Sequence, residues 1–402
     1  MTPDGPATRL HVGERVSLTV GPIAHGGHFV CRDESGQVIF LRHGITGEKV
    51  VAQITQVTSK IVRADVVEVV SKSEFRVDSP CEFSGAGRCG GCDFQHVDIN
   101  HQRELKRQVI KEQFSRLAKL DVEVEVLGVA PNDGQHWRTR MDFAISAEGR
   151  IGLYAHRSNE VIPITSCSIA VEEMKLDQLS QRMWNGDARV EVAVSNTHQL
   201  NISRGGRSIS GPTQLNEKVG DINYQLSPFS FWQSHLAAPA TLVTAVLQLL
   251  ELSSGDVVCD LYGGVGLFTA AIAQKVGAKG KVHLIESDRK AITDAQRIFK
   301  GVGNVEIHAG SVESRLPRIS GIDLILLDPP RTGAGEEVVI SMVKHKPRTI
   351  VYVSCDPASL ARDTKHLAEL GYRMDYLVGF DLFPMTQHVE CISRFRLINP
   401  ID

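Results

Sequence analysis

No sign of charge dominates this chain: 44 Lys plus Arg against 47 Asp plus Glu leave a formal net charge of -3. That balance supplies no global attraction to nucleic acid or to a membrane surface, so any such partner has to be met by a local patch. Long apolar runs are missing too. Nothing approaches the roughly 18 residues of a spanning helix, and Asp4, Arg9, Glu14 and Arg15 stand where an export signal would need an apolar stretch. The expectation is a soluble, cytoplasmic protein with no membrane partner. Cysteine is sparse at eight in 402 residues, and without an export signal these read as thiols, metal ligands or a nucleophile rather than a disulfide framework. Aromatics make up only 6%, but 42% hydrophobic and 23% charged residues exclude disorder and collagen. The length is enough to bury two or three cores.

Three textures divide the chain. Residues 1–74 alternate short β-rich runs with turn signals, which suggests a small closed barrel of the OB type. Eight basic and eight acidic residues in that stretch leave its role open between RNA binding and protein docking. Residues 75–225 hold a cysteine-rich segment, a helix from about Asn100 to Leu120, and then a mainly β region. In the helix Leu105, Val109, Phe114 and Leu117 form an apolar stripe, and Arg103, Lys106, Arg107, Lys111, Arg116 and Lys119 outnumber Glu104 and Glu112. Such a face serves either a phosphate or only solvent. Residues 226–402 alternate helix and strand, with strands expected at Asp256–Leu261, Lys281–Ile285, Gly321–Leu327, Thr349–Val353 and Cys391–Leu397. That alternation predicts a parallel sheet covered by helices on both faces.

In the third segment, Asp260-Leu-Tyr262-Gly263-Gly264-Val-Gly266 sits where a strand turns into a helix, and glycines there let backbone approach a ligand. Glu286, twenty residues past Gly266, ends the next strand, where a carboxylate can accept both hydroxyls of a ribose. The spacing is not that of a dinucleotide loop. An acid ahead of the glycines would repel a pyrophosphate but tolerate a sulfonium, which points to S-adenosylmethionine. Asp328-Pro-Pro-Arg331 follows a very apolar strand and places a carboxylate at the same sheet edge.

Val353-Ser354-Cys355-Asp356-Pro357 also follows a strand, bringing a thiol to that edge. His388 and Glu390, just before the final strand, offer proton-transfer groups. A methyl donor beside a thiol and a carboxylate suits methylation of an unactivated pyrimidine carbon. Carbon 5 of uracil becomes nucleophilic only after a thiolate adds at carbon 6, and a base, here Glu390, must then remove the carbon-5 proton. Cys259 and Cys391 read instead as small buried apolar residues.

These motifs in this order resemble the RNA uracil-5-methyltransferase family, in particular its larger members with an N-terminal TRAM domain and an iron-sulfur cluster. The resemblance rests on Asp260 to Gly266, Asp328 to Arg331, Ser354 to Pro357 with Leu360-Ala361-Arg362-Asp363, Phe383-Pro384 to Glu390, and Phe231-Trp232-Gln233, and it spans essentially the whole chain. It implies a TRAM barrel, a central mainly β domain with an iron-sulfur site, and a C-terminal Rossmann-like class I methyltransferase domain. It implies that Cys355 is the nucleophile and Glu390 the base, and that Gln233, Tyr262, Gly263, Gly264, Gly266, Glu286, Ser311 and Asp328 meet S-adenosylmethionine. It reads Cys81, Cys89, Cys92 and Cys167 as ligands of a four-iron four-sulfur cluster, although the same four sulfurs would serve a structural zinc. Three departures stand out: seven residues, Glu82 to Arg88, separate the first two cysteines, longer than is usual; Gly263 replaces a usual cysteine; and Leu267 replaces a usual asparagine. The resemblance implies a monomer that forms 5-methyluridine in structured RNA, ribosomal RNA ahead of transfer RNA. The rival of another class is a non-catalytic iron-sulfur RNA-binding factor.

Overall fold

A computed structural model describes residues 10–398, so the outer ends of the first and last expected segments, Asp4 and Arg9 among them, lie outside the described residues. Six strands come first: β1 (Arg15–Thr19), β2 (Ile23–Ala24), β3 (His28–Arg32), β4 (Val38–Arg42), β5 (Lys49–Val57) and β6 (Val62–Ser71). They pair in the order β1-β5-β6-β4-β3-β2. Where a closed barrel was expected, β1 and β2 stand at the two ends of this order. Alternation along β5 buries Val50, Ala52 and Ile54 in one core with Phe29, Ile39 and Leu41.

Asp98 caps α1 (Ile99–Gln113), its carboxylate accepting from the N–H groups of Asn100 and His101. A π-helical turn, Phe114–Ala118, extends it to the expected length. The strand β7 (Val126–Gly128) follows. A second sheet holds β8 (Arg140–Ile145), β9 (Ile151–Tyr154), β10 (Val161–Pro163), β11 (Val190–Val194), β12 (Leu200–Arg204) and β13 (Arg207–Ser210), in the order β10-β9-β8-β11-β12-β13. A short α2 (Leu176–Gln181) lies within this stretch, and the hairpin β14 (Leu215–Val219) and β15 (Ile222–Leu226) leads on to the third sheet.

That sheet contains β16 (Val257–Leu261), β17 (Lys281–Glu286), β18 (Val305–Ala309), β19 (Leu324–Leu327), β20 (Thr349–Ser354), β21 (Tyr372–Asp381) and β22 (Glu390–Leu397), in the order β18-β17-β16-β19-β20-β22-β21-β7. The first five run parallel and β22 is antiparallel to both neighbours. Two cores cover its faces. One takes residues from α3 (Ala238–Leu250), α4 (Leu267–Val276) and α5 (Arg289–Ile298) together with Tyr224 and Leu226 of the hairpin. The other takes Ile110 and Phe114 with residues of α6 (Val312–Arg315), α7 (Gly335–Lys344) and α8 (Pro357–Glu369). The helix α1, β7 and the β14–β15 hairpin, all N-terminal to residue 226, therefore build part of the third sheet's packing. No helix among the described residues is long and apolar enough to cross a membrane.

The basic face of α1 departs from the phosphate-facing alternative. Lys106 is buried, and its ammonium lies 2.5 Å from Asp381 Oδ1 and donates to the Phe383 carbonyl at 3.0 Å. Arg103 also reaches Asp381, Arg107 pairs with Glu104, Lys111 with Glu123 and Arg116 with Glu112. These five cations pair with carboxylates, and two of them, Lys106 and Arg103, tie the helix to the segment before β22.

Candidate active site

Strand order reverses at β16, which has β17 on one side and β19 on the other, and such a switch point opens a crevice at the carboxyl ends of the strands. The motifs around Asp260, Glu286, Asp328, Cys355 and Glu390 stand at that edge, while Phe231 and Trp232 line the cavity of the four cysteines Cys81, Cys89, Cys92 and Cys167. Asp260 is fully buried; its Oδ2 accepts from Thr269 Oγ1 at 2.6 Å, and its Oδ1 has no protein partner. Tyr262, Gly264 and Gly266 then take left-handed backbone conformations with φ of 61°, 56° and 93°. A side chain at Gly266 would overlap the Phe299 ring, and a Cβ at Gly263 would lie 2.8 Å from Leu284 Cγ, so the replacement of a cysteine there accompanies tight packing. Glu286 fixes the turn: Oε2 accepts from Gly264 N at 2.9 Å, while Oε1 accepts from the N–H groups of Ser287 and Asp288. Ser311, exposed, opens α6 just beyond β18. Gln233 is buried ahead of α3. The Leu267 side chain is buried in the core, and its carbonyl accepts from Tyr224 Oη at 2.8 Å.

The nucleophile candidate and the base candidate face each other by register. In the antiparallel pairing of β20 with β22, Ser354 lies opposite Cys391, so Cys355 and Glu390, one residue further on, are opposed. The electrostatics tie this pair to the acids of the crevice. Burial, reinforced by Glu286, raises Asp260 to about 7, and burial with Asp260 raises Asp328 to about 7. Burial and Asp328 push Glu390 well above the usual carboxylate range. Burial, then Glu390 and Asp328, push the Cys355 thiol up to about 12, with Arg331 opposing. In the ligand-free protein the thiol is therefore protonated, and the crevice is a cluster of carboxyl groups short of a cation. His388 is drawn down to about 4 by burial and by Arg331, Lys106 and Arg138, which makes it a neutral imidazole.

Of the supporting groups, His25 and Asp93 carry no local sequence signal, while Asp363 belongs to the Leu360-to-Asp363 motif. His25, between β2 and β3, places Nε2 2.9 Å from Oδ2 of Asp356, whose Oδ1 caps α8 through Ser359 N. Asp363 accepts from Tyr352 Oη at 2.7 Å and Ala334 N at 2.8 Å, bracing the loop after Arg331. Asp93 accepts from Gln387 N, and the N–H groups of Asp93 and Phe94 both donate to the Met385 carbonyl. The sequence motifs thus arrive on strand ends, and residues more than 200 positions away hold them there.

Cys81, Cys89, Cys92 and Cys167 line one cavity of about 730 Å³. Burial raises the thiols of Cys89, Cys92 and Cys167, with neighbouring cysteines of the group adding to it. Two N–H donors already point at sulfur, Gly91 N at Cys89 Sγ (3.4 Å) and Gln95 Nε2 at Cys92 Sγ (3.3 Å). Among the described residues, the group of three or more ligand atoms close enough to share a single ion is His283, Glu306 and His308 on β17 and β18, not these cysteines.

Comparison with known proteins gives the family and the fold. The sequence model of the tRNA (uracil-5-)-methyltransferase family matches residues 172–395, and that of the TRAM domain matches residues 9–67. An uncharacterized RNA methyltransferase of Streptomyces coelicolor is 42% identical, over 95% of this chain and 93% of its own. Another, from Corynebacterium glutamicum, is 34% identical over 96% of this chain and 98% of its own. Among solved structures, the Pyrococcus abyssi tRNA (uracil-54, C5)-methyltransferase in complex with S-adenosyl-L-homocysteine superposes with a TM-score of 0.74 at 23% identity, covering 95% of this chain and all of that one.

Proposed function

The chain belongs to the tRNA (uracil-5-)-methyltransferase family, and from that premise we propose that this S-adenosylmethionine-dependent RNA methyltransferase forms 5-methyluridine in large ribosomal RNA through Cys355 and Glu390. The observation that carries the reading is the register opposing Cys355 to Glu390 at the edge that also bears Asp260, Glu286 and Asp328.

S-adenosylmethionine supplies an electrophilic methyl group on a sulfonium. The glycine turn, Tyr262, Glu286, Ser311, Gln233 and Asp328 would hold the cofactor. The target base leaves its stack to reach Cys355. Cys355 gives its proton to solvent and forms a bond from Sγ to carbon 6, and the displaced π electrons make carbon 5 an enolate carbon. Carbon 5 takes the methyl group, whose bond to sulfur breaks and leaves a neutral thioether. Glu390 then removes the proton on carbon 5, the double bond between carbons 5 and 6 re-forms, and Cys355 leaves as a thiolate. A carboxylate raised by burial is a stronger base once ionised, which suits this last step. Cationic charge entering the crevice lowers the cost of ionising both residues.

The cysteine set suits a four-iron four-sulfur cluster held by Cys81, Cys89, Cys92 and Cys167. One tetrahedral zinc with bonds of about 2.3 Å would draw its sulfurs to about 3.8 Å apart, and a multinuclear cluster spaces its ligands more widely. The transfer needs no redox step, so such a cluster would serve to knit the 81–92 loop to Cys167. Iron and sulfide analysis of anaerobically purified protein checks this.

Ribosomal RNA is the substrate reading that the resemblance to the TRAM- and cluster-bearing members supports; transfer RNA, after which the matching family is named, is the second reading. The test is incubation with labelled S-adenosylmethionine and total RNA lacking 5-methyluridine, followed by nucleoside analysis of size-separated RNA. Label in 5-methyluridine of the large ribosomal RNA is expected. Label in the transfer-RNA fraction would replace the substrate reading, and no label with the cofactor bound would overturn the activity.

A further inference from the structure

Where the first sheet meets the loop after β9, a cavity of about 470 Å³ is lined by Arg42 of β4, Arg63 of β6 and Arg157, with His28 of β3 and His156. Arg42 is only 5% exposed, yet its Nη2 has no hydrogen-bond partner, and the carboxylate recorded beside it, Asp93, is 3.9 Å away. Arg63 gives Nη1 to Gln56 at 2.7 Å but leaves a buried Nε unpaired. The Nε2 atoms of His28 and His156, whose rings lie 5.9 Å apart, are likewise buried without partners. Two acids, Asp65 and Glu160, also reach the cavity, but burial raises Asp65 toward its neutral form. Burial, with Arg42, Arg157 and Arg63 pressing on both rings, draws His28 to about 4 and His156 to about 3.

Buried donors are normally satisfied, and the unpaired guanidinium nitrogens of Arg42 and Arg63, two residues lining one space, mark the place of a missing acceptor, whereas neutral His28, whose Nδ1 donates to the Gly26 carbonyl at 2.8 Å, presents an Nε2 that must take a proton before it can meet an anion. Guanidinium forks match a phosphate, and their positive charge calls for an anion. We infer that this cavity binds a backbone phosphate of the substrate RNA, one flanking the target uridine. The location supports a flanking position. His28 follows by three residues the His25 that contacts Asp356 beside the nucleophile, and a Cβ on the intervening Gly27 would press on Gln387 of the catalytic loop. The cavity's other wall, His156, packs against Gly90 of the cysteine loop. The inference rests on RNA being the substrate, but not on which base is methylated.

The test measures equilibrium binding of the anaerobically prepared full-length protein to two unmodified probes, a tRNA transcript and a large-subunit rRNA hairpin, across a salt series. The variants are Arg42→Gln, Arg42→Lys and the double change Arg63→Gln/Arg157→Gln, the last on the accessible side of the cavity. For whichever probe binds, the glutamine variants should weaken affinity about tenfold and lower the slope of log K against log salt by about 0.7 to 0.9, the value for one lost phosphate contact. Arg42→Lys should recover part of both, and S-adenosylmethionine binding should not change. Unaltered RNA affinity and slope in the double variant would overturn the inference. So would calorimetric binding of inorganic phosphate that these variants abolish while RNA affinity stays, since the ligand would then be a free anion. Loss of slope in a protein that makes no 5-methyluridine would uphold this site and reject only the assigned activity.

Discussion

The acids at the strand ends make cofactor binding a charge measurement. Asp260 and Asp328 both sit at about 7 in the ligand-free protein, Asp260 raised by burial and Glu286, Asp328 by burial and Asp260. A sulfonium placed beside them favours the ionised form, so binding should draw off a proton and tighten as pH rises through 7. For one carboxyl group titrating at about 7, the ionised fraction climbs from about a tenth at pH 6 to about nine-tenths at pH 8, which corresponds to about tenfold in Kd. A second group acting with it would steepen the change. S-adenosylhomocysteine has the same nucleoside and amino-acid ends but a neutral thioether, so its affinity should vary far less over the interval. Calorimetry of both ligands at pH 6, 7 and 8 gives the comparison directly, and Asp328→Asn should shrink the difference between them. Equal pH slopes for the two ligands would refute the reasoning, because the carboxyl groups would then not be sensing the sulfonium.

Cys355→Ala should keep RNA and cofactor affinity within about twofold, as it removes only a small side chain, while turnover falls below detection; nucleoside analysis checks this, and normal turnover would end the covalent mechanism. Glu390→Gln should methylate but fail to release, so a protein-RNA adduct stable to denaturant should appear on a gel, and its absence counts against Glu390 as the base. Lys106→Met strands Asp381 in a buried site with Arg103, 3.3 Å away, as its remaining cation. Breaking such a pair costs about 3 to 5 kcal/mol, so urea denaturation should show a loss of that order, and a loss below about 1 kcal/mol would show that Arg103 alone satisfies the carboxylate.

The chemistry was legible because its residues are local. A turn that needs positive φ at Gly264 and Gly266 writes glycines into consecutive sequence, and strands ending at one sheet edge each append their functional residue directly, as Asp328 follows Leu327 and Cys355 follows Ser354. The opposition of Cys355 and Glu390 needed one more fact, that the last strand runs antiparallel to β20, and no spacing along the chain contains it. Two strands of the sheet, β18 and β21, gave no clear pattern; β18 is only half-buried, and β21 alternates irregularly across a register shift near Tyr376.

Charge was the least readable property, for a physical reason. The helix α1 carries the densest run of cations, yet Lys106 and Arg103 are neutralised by Asp381, some 275 positions later. The first segment, with equal numbers of acids and bases, contributes Arg42 and Arg63, each with a buried N–H left unpaired, because they come from different strands and meet Arg157 of a distant loop. Composition counts charges, whereas binding depends on which of them the fold leaves unpaired. In this chain one such group lies in a segment whose composition is neutral, one hairpin away from the loop of the candidate nucleophile.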